Sequence, residues 1–516
     1  ATEPRPEDVF RILVATDNHL GYLEKDPVRG DDSFRAFEEI LRLGRDQKVD
    51  FILLGGDLFH DNKPSRNTME RTIRLFNKYV RGPDEVSFEV VNPAALHTSG
   101  EEPAVPNFHD PHVSIDRPVF IVHGNHDDPT LETHNRSMSA ISVLASAKLL
   151  NYYGASATVS DVTLTPVLLK KGNSKIALYG LGYIRDERLN RLFARQKVVF
   201  KSPAWDAGEY FSLMVVHQNR DNGRGKRNCL QDDMIPKEMD LVLWGHEHEC
   251  IIAPRPNTNG THISQPGSSV VTSLIEGENV PKHVAILEVA SRQFRMHTHK
   301  LKSVRPFIYR FLSLSSFPEL QPDSTDVERK IANRLAEQVE EMIAEAASDA
   351  EAEEGDQALL PLLRLAVDHT GFPVIHSQRF GAQFVDRVAN PTDMVLFKRQ
   401  RMTAAASRAG GAGAAASAGA GAGAGADTDT AEDKSAEISE LFLQAVSATT
   451  KPPCVLTEGG MVLALEDFVL KETADAFSSF VDGKLKKLCE EALRSDACGT
   501  DEGIREFVAR RSATER

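Results

Sequence analysis

The chain has 516 residues, which is too long for one hydrophobic core, so roughly two or three folded units are expected. Its composition is that of an ordinary globular protein, with 41% hydrophobic and 26% charged residues, and no apolar run reaches the length of about 18 that a membrane span needs. The formal net charge of −15 argues against the chain as a whole coating nucleic acid electrostatically.

The cysteine usage and the first residues of the sequence indicate the cellular compartment in which the protein is expected. The five cysteines are widely spread and contain no Cys-x-x-Cys pair, so they form neither a disulfide framework nor a zinc-ribbon spacing. This usage is typical of a reducing compartment, cytosolic or nuclear. Residues 1–8 are polar and lack the apolar stretch of a signal peptide, so we expect no export.

Residues 9–295 show an α/β pattern in which short hydrophobic runs end in polar residues. The runs, in chain order, are 10–15, 50–54, 118–122, 212–216, 241–244 and a last strand at 284–289. Near-continuous hydrophobicity over such lengths is typical of central strands covered on both faces. Helical stripes lie between them, at Phe34, Phe37, Ile40 and Leu41, and at Met69, Ile73, Phe76 and Val80. Strand, polar loop and helix in repetition predict a layered α/β architecture.

Two further segments complete the part before residue 399. The insertion at 92–117 is long for a connection in a compact domain, and its Pro- and Gly-containing sequence predicts a surface arm. After a basic connector at 300–305, a smaller α+β unit is predicted for 302–398. Its predicted elements are a long helix through 331–343, strands at 306–314 and 373–375, and a second helix around 383–387.

The last part of the chain changes in composition. Residues 399–433 are predicted to be a flexible linker, because the Ala-, Gly- and Ser-rich stretch 404–426 cannot bury a core. Helical stripes resume in 434–516. Short helices behind a long linker hardly fold alone, so they either pack back on the main body or dock on a partner.

Metal-ligating residue types follow five of the predicted strands. In chain order they are Asp17, His19, Asp57, Asn125, His217, His246 and His248. Sites in open α/β sheets form at the carboxyl ends of strands, so these side chains are expected to share one crevice. Alternation along an extended chain would direct Asp17 and His19 to the same metal. The donors include no thiolate, which excludes a structural zinc site and suits a hydrolytic centre of manganese, iron or zinc.

Six stretches together resemble a known superfamily. They are 15–21 (ATDNHLG), 55–60 (GGDLFH), 123–128 (HGNHDD), 217–219 (HQN), 244–248 (WGHEH) and 265–269 (QPGSS). In this order they resemble the calcineurin-like metallophosphoesterases and, among these, the nuclease subunit of the MRN double-strand-break repair complex, with its SbcD-type bacterial counterpart. The resemblance is dense over 9–295 and looser over 302–398. In 434–516 it rests on position and helical pattern alone.

The resemblance implies a fold and a site. The fold is a sandwich of two mixed β-sheets flanked by helices, with a smaller α+β capping domain and a C-terminal helical segment that binds a partner. One ion would be held by Asp17, His19, Asp57 and His248, and the other by Asp57, Asn125, His217 and His246. His126 would face the scissile phosphate, Asp127 would orient the His126 ring, and His60 would influence how the DNA strand is presented.

The resemblance also implies a function. It is that of a Mn²⁺-dependent DNA endonuclease and 3′–5′ exonuclease with two ions per subunit, acting in double-strand-break processing, homologous recombination, meiosis and telomere maintenance on nuclear chromosomes. The implied partners are DNA ends and hairpins, a coiled-coil ABC-type ATPase bound by 434–516, and an FHA/BRCT adaptor of the nibrin type bound by 92–117. Helices around 69–76 and 141–150 would form a homodimer, although stripes of this kind are more often core.

Candidate DNA contacts lie beside the metal ligands. The basic loop after His217 contains Arg220, Arg224, Lys226 and Arg227, and the turn 265–269 contains Ser268. Each is equally compatible with a plain surface loop.

Two other functions remain open from the sequence. The first is a protein Ser/Thr phosphatase on the same fold. That class typically has an Arg shortly after the Asp of the second motif and a Glu directly after Gly-Asn-His. Here Asp57 is followed by Leu-Phe-His, and His126 is followed by Asp127. The second is an architectural subunit that bridges the ATPase and DNA.

Overall fold

The computed structural model describes residues 5–96, 105–132, 136–155, 161–203, 208–221, 228–349 and 359–399. Their strands are, in chain order, β1 (Phe10–Ala15), β2 (Phe51–Leu54), β3 (Glu89–Val90), β4 (Val119–Ile121), β5 (Thr130–Glu132), β6 (Arg136–Met138), β7 (Asn151–Tyr152), β8 (Val162–Leu164), β9 (Val167–Lys171), β10 (Ser174–Leu181), β11 (Val198–Phe200), β12 (Phe211–His217), β13 (Leu241–Gly245), β14 (Ile251–Pro256), β15 (His262–Gln265), β16 (His283–Ala290), β17 (Gln293–Lys300), β18 (Phe307–Ser313), β19 (Leu362–Asp368) and β20 (Val395–Lys398). The α-helices are α1 (Asp32–Asp46), α2 (Arg66–Tyr79), α3 (Ala140–Ser146), α4 (Asp186–Ala194), α5 (Val327–Asp349) and α6 (Ser377–Gly381). None of these helices combines the length and the apolar character that crossing a membrane requires.

Two mixed β-sheets form the larger part of the described structure. The strand order is β17-β16-β1-β2-β4-β7 in the first sheet and β14-β15-β13-β12-β10-β9-β3 in the second. In the first sheet β1, β2, β4 and β7 are parallel, and the antiparallel strands β16 and β17 lie on one side of them. In the second sheet the central strands are parallel, and antiparallel strands flank them on both sides. The backbone amide of His246, directly after β13, donates to the carboxylate of Asp17, which follows β1. The carboxyl ends of the parallel strands of both sheets therefore meet at one edge.

The alternation of side chains along β1 explains the layers. Phe10, Ile12 and Val14 belong to the core between the two sheets, whereas Leu13 and Ala15 belong to the core under helix α1. Successive side chains of a strand point to opposite faces, so a strand buried on both faces must be apolar throughout. The predicted layered α/β sandwich with two mixed sheets is confirmed.

A second, smaller core lies around the three-stranded parallel sheet β18-β19-β20. Helix α5 covers one face of it, with Ile331, Leu335 and Val339 fully buried at four-residue steps. The strand predicted at 373–375 is wrong, because these residues form no strand and β19 and β20 complete the sheet instead. The helix predicted around 383–387 is also misplaced, since α6 and the 3-10 turn Ala382–Phe384 precede most of that range.

Several local predictions in the larger part also need correction. The sequence analysis placed the last strand of this part at 284–289, but a further strand, β17, follows it. The sequence did not predict β17 because its exposed positions interrupt the hydrophobic pattern. The flanks of the 92–117 insertion are not a surface arm: Leu96, Asn107 and Ile115 are buried against the main body. Its middle, 97–104, and the predicted linker and helical segment beyond residue 399 lie outside the described residues.

Candidate metal centre

Seven side chains from five strand ends converge at the edge where the two sheets meet. They are Asp17, His19, Asp57, Asn125, His217, His246 and His248. His217 Nε2 lies 3.2 Å from Asp57 Oδ2 and 3.2 Å from Asn125 Oδ1, and His246 Nδ1 lies 2.8 Å from that same amide oxygen. On the other side of Asp57, His19 Nε2 lies 4.0 Å from Asp57 Oδ2 and 3.2 Å from His248 Nε2. The structure thus brings together all seven residues that the sequence proposed as ligands.

The backbone places these side chains by turning sharply, not by continuing the strands. Asp17, His19, Asp57 and His246 have positive φ angles of 51°, 47°, 48° and 82°. A positive φ is uncommon for residues other than glycine, and such strain concentrates at functional sites. The two side chains do lie together, but not because side chains alternate along an extended strand. Strand β1 ends at Ala15, and Asp17 and His19 both have left-handed backbone conformations beyond it.

Two glycines are required by the packing of this turn region. Gly56 has a φ of 101°, and a Cβ atom there would lie 2.5 Å from His217 Nδ1. A Cβ atom on Gly124 would overlap the Asp57 carboxylate. Both positions need a residue without a side chain, since any Cβ would displace a proposed ligand.

The protonation pattern of three histidines tests whether a cation fits. His217 Nδ1 lies 2.8 Å from the Gly55 carbonyl, which only accepts, so in the neutral ring this nitrogen carries the hydrogen and Nε2 faces Asp57 and Asn125 as a lone pair. His246 Nε2 lies 3.0 Å from Asn219 Oδ1, and the Asn219 amide nitrogen donates to Asp186. His246 Nδ1 is then also a lone pair that faces an oxygen.

The third histidine follows the same rule. His248 Nδ1 lies 2.8 Å from the Thr272 hydroxyl and 3.3 Å from the Glu278 carboxylate, which leaves Nε2 as a lone pair facing His19. Lone pairs and carboxylate oxygens without hydrogens between them repel one another. A divalent cation at each cluster removes that repulsion, so the residues present fit a centre of two such ions.

The charge balance agrees with this reading. Burial lowers the pKa of the His217 ring, but the carboxylates of Asp57 and Asp17 outweigh burial and raise it to about 10. Burial likewise opposes ionisation of Asp57, yet His217 and His19 hold the pKa of this carboxyl below its ordinary value. The carboxylates of Asp17 and Asp57 therefore make this cluster a favourable place for positive charge.

Sequence reasoning missed the residues that hold His248. Glu278 is 1% exposed and lies beside the His248 ring, and burial, which raises its pKa, is outweighed by His248 and Lys282, which lower it to about 2. Lys282 donates to the His248 carbonyl at 3.1 Å. Glu276 and Glu278 look equivalent in the sequence, and nothing there tells which of the two is buried.

The residues proposed for catalysis lie together, with one correction. His126 Nδ1 donates to the His60 carbonyl at 2.5 Å, and the two rings are stacked with centroids 5.1 Å apart. Asp127 accepts from the amides of Leu58 and Phe59 at 2.8 and 3.1 Å. Asp127 therefore holds the loop that carries His60, and it is the His60 carbonyl, not Asp127, that orients the His126 ring.

Of the residues proposed for DNA contact, the two that the structure describes do not form a free basic surface. Ser268 is 1% exposed, and its hydroxyl donates to the Val270 carbonyl, so it is a packing residue and not an accessible phosphate contact. Arg220 lies over the Trp244 ring and donates to Gln265 Oε1, which ties its guanidinium into the fold. Arg224, Lys226 and Arg227 lie outside the described residues.

Comparisons with known proteins add independent observations. A family model for calcineurin-like phosphoesterases matches residues 10–250, and one for the Mre11 DNA-binding presumed domain matches residues 294–468. The double-strand break repair protein MRE11 of Rattus norvegicus is 41% identical over 508 residues, 97% of this chain and 70% of that protein. The protein of the same name from Arabidopsis thaliana is 42% identical over 402 residues, 76% of this chain and 54% of that protein. The structure of a dimetal phosphatase from Danio rerio is 12% identical, with a TM-score of 0.30, and covers 57% of this chain and 99% of that one.

Proposed function

The chain belongs to the MRE11 family of double-strand break repair nucleases, and on that premise we propose that it hydrolyses DNA phosphodiester bonds as both an endonuclease and a 3′–5′ exonuclease. It is a metal-dependent phosphodiesterase. The single observation that supports the site is that His217 Nε2 lies 3.2 Å from both Asp57 Oδ2 and Asn125 Oδ1, so that three metal-ligating groups converge on one point.

The proposed cofactor is a pair of Mn²⁺ ions that share Asp57. His19, Asp17 and His248 would complete one ligand set, and Asn125, His217 and His246 the other. A carboxylate suits the shared position, because it offers two anionic oxygens, and a neutral amide such as Asn125 avoids an excess of negative charge. When bound, such ions supply charge neutralisation at the phosphate and activation of water.

The protein's own contribution centres on His126. Its backbone amide donates to Asp57 Oδ1 at 2.8 Å, so the ligand and the catalytic residue are fixed to one another. Its Nδ1–H is held by the His60 carbonyl, so the transferable proton is the one on Nε2 of the imidazolium form; that proton would pass to the departing oxygen of the DNA strand and leave the neutral Nδ1–H ring. The stacked His60 ring keeps the His126 ring in place on its other side.

The proposed setting is a nuclear repair complex on chromosomal DNA. Residues 434–516 would bind a coiled-coil ABC-type ATPase, and residues 92–117 an FHA/BRCT adaptor. A homodimer would relate two sites by a two-fold axis and place them across one DNA end. The face of α2 that carries Met69 and Ile73 is a shallow groove only partly covered by the chain's own residues, which supports its use in that dimer.

A nuclease assay paired with metal analysis tests the proposal. Single-stranded, hairpin and 3′-recessed DNA are incubated with the full chain and Mn²⁺, alone and with the partner ATPase. We expect cleavage that disappears with chelator and in Asp57→Ala, which also loses its ions. A chain that binds two ions and cleaves none of these substrates would favour the architectural role.

A further inference from the structure

The segment 271–282 contacts a proposed metal ligand on one side and the three-stranded sheet of the smaller core on the other. Its 3-10 turn, Glu276–Glu278, contains the buried carboxylate beside His248. The next residue, Asn279, is exposed to solvent and accepts a hydrogen bond of 3.0 Å from the backbone amide of Tyr309 in β18. Glu278 thus contacts the proposed metal centre, and its neighbour Asn279 contacts the smaller core.

On the metal side, Glu278 organises most of this segment. Its Oε1 lies 3.3 Å from His248 Nδ1 and accepts from the Thr272 amide at 3.2 Å, while its Oε2 accepts from the amides of Ser273 and Leu274 at 2.8 and 2.9 Å. The Thr272 hydroxyl lies 2.8 Å from His248 Nδ1. A displacement of this turn would therefore move both oxygens that fix the orientation of the His248 ring.

On the other side, the contact with the smaller core is both polar and apolar. Besides the bond from Tyr309 to Asn279, Val271 and Leu274 pack in one cluster with Phe307 of β18 and Leu362 of β19. The Thr272 carbonyl also accepts from the Tyr22 hydroxyl at 2.6 Å, and the edge of the Tyr22 ring meets His60 at 4.8 Å between centroids. The segment consequently touches the surroundings of both His248 and His126.

We infer that Glu278 and Thr272 are positioning residues for His248, and that Asn279 makes their position depend on the contact with β18. The arrangement couples the smaller core to the affinity of one ion site, the site that contains His248. This inference rests on the proposed metal centre and goes beyond it, because it assigns a regulatory contact to residues outside the ligand set. Outer residues that hold a metal-bound histidine commonly change metal affinity by roughly 10–100-fold when replaced.

Four variants of the full chain test the coupling by Mn²⁺ titration, with calorimetry and without DNA. Asn279→Ala removes the oxygen that accepts from Tyr309, and we expect Mn²⁺ affinity at one of two sites to fall roughly three- to tenfold. Asn279→Asp keeps an acceptor oxygen at that place and should restore the affinity. Thr272→Val, which keeps the side-chain shape, should lower affinity at the same site. Glu276→Ala, in the same turn but exposed and without a described side-chain bond, is the matched control and should match the wild type.

Hydrogen exchange supplies a second measurement, because coupling between two sites is reciprocal. Mn²⁺ should slow exchange of the Tyr309 amide in the wild type, an effect that a purely local structural role would not produce. Two ions bound with equal affinity by the wild type and Asn279→Ala, or Tyr309 exchange that is insensitive to Mn²⁺, would overturn this inference alone. A wild-type chain that binds no Mn²⁺ would overturn the proposed function as well.

Discussion

His126 is bonded to the metal centre through its backbone and to His60 through its ring, so its side chain can be changed without removing a ligand. We expect His126→Asn to lower the cleavage rate by about 10²–10⁴-fold, the usual contribution of a positioned acid or base. Bound Mn²⁺ and thermal stability should stay close to those of the wild type. A variant that cleaves DNA at the wild-type rate would refute the role assigned to His126.

Asp127 has a structural role that the sequence did not indicate. Its two oxygens satisfy the amides of Leu58 and Phe59, and an Asn side chain offers only one acceptor oxygen for the two. We expect Asp127→Asn to lower the free energy of unfolding by roughly 1–3 kcal/mol, because one buried amide loses its partner. Chemical denaturation measures the loss, and cleavage should fall too, since the same loop carries the His60 carbonyl. Unchanged stability would contradict this role.

At the scale of elements, the sequence predicted the strands that precede the site residues, but it missed the buried strands β10 and β19 as well as the exposed strand β17. β1, β2, β4, β12 and β13 are largely apolar, whereas β17 has mainly exposed and half-buried residues and carries no such signal. The proposed ligands were predictable because each ends such an apolar strand or follows it within four residues. Glu278 and Thr272 were not, because burial of a carboxylate depends on the packing of distant segments around it.

One ion pair between elements is predicted to matter more than the surface pairs. Arg305 donates to Asp32 Oδ2 at 2.7 Å and to the Leu360 carbonyl at 3.1 Å, with both charged side chains buried between α1 and the start of the smaller core. We expect Arg305→Met to cost roughly 1–3 kcal/mol of unfolding free energy, since the buried Asp32 carboxylate keeps only its contact with Arg35 at 3.2 Å. Arg387→Met, which breaks the exposed pair with Glu340, is the control and should change stability little. Similar losses of unfolding free energy in both variants would show that the buried pair stabilises the fold no more than the exposed pair does.

For the molecule as a whole, the proposed centre joins two sheets that otherwise meet mainly through apolar side chains. Asp17, Asp57 and Asn125 follow strands of the first sheet, while His217 ends a strand of the second and His246 follows another. An ion held by residues of both sheets binds only the folded chain, because unfolding separates its ligands. The ion therefore stabilises the folded state through mass action.

Removal of the ions should consequently lower the melting temperature of the entire sandwich. With Mn²⁺ at about 100 times its dissociation constant, the stabilisation is about 2.7 kcal/mol for one site. Calorimetric scans with Mn²⁺ and with excess chelator should therefore differ by several degrees in the wild type. Asp57→Ala lacks the shared ligand, so its melting temperature should be the same under both conditions. A wild-type chain that melts identically with Mn²⁺ and with chelator would mean that no ion links the two sheets, because binding to the folded state alone must raise its stability.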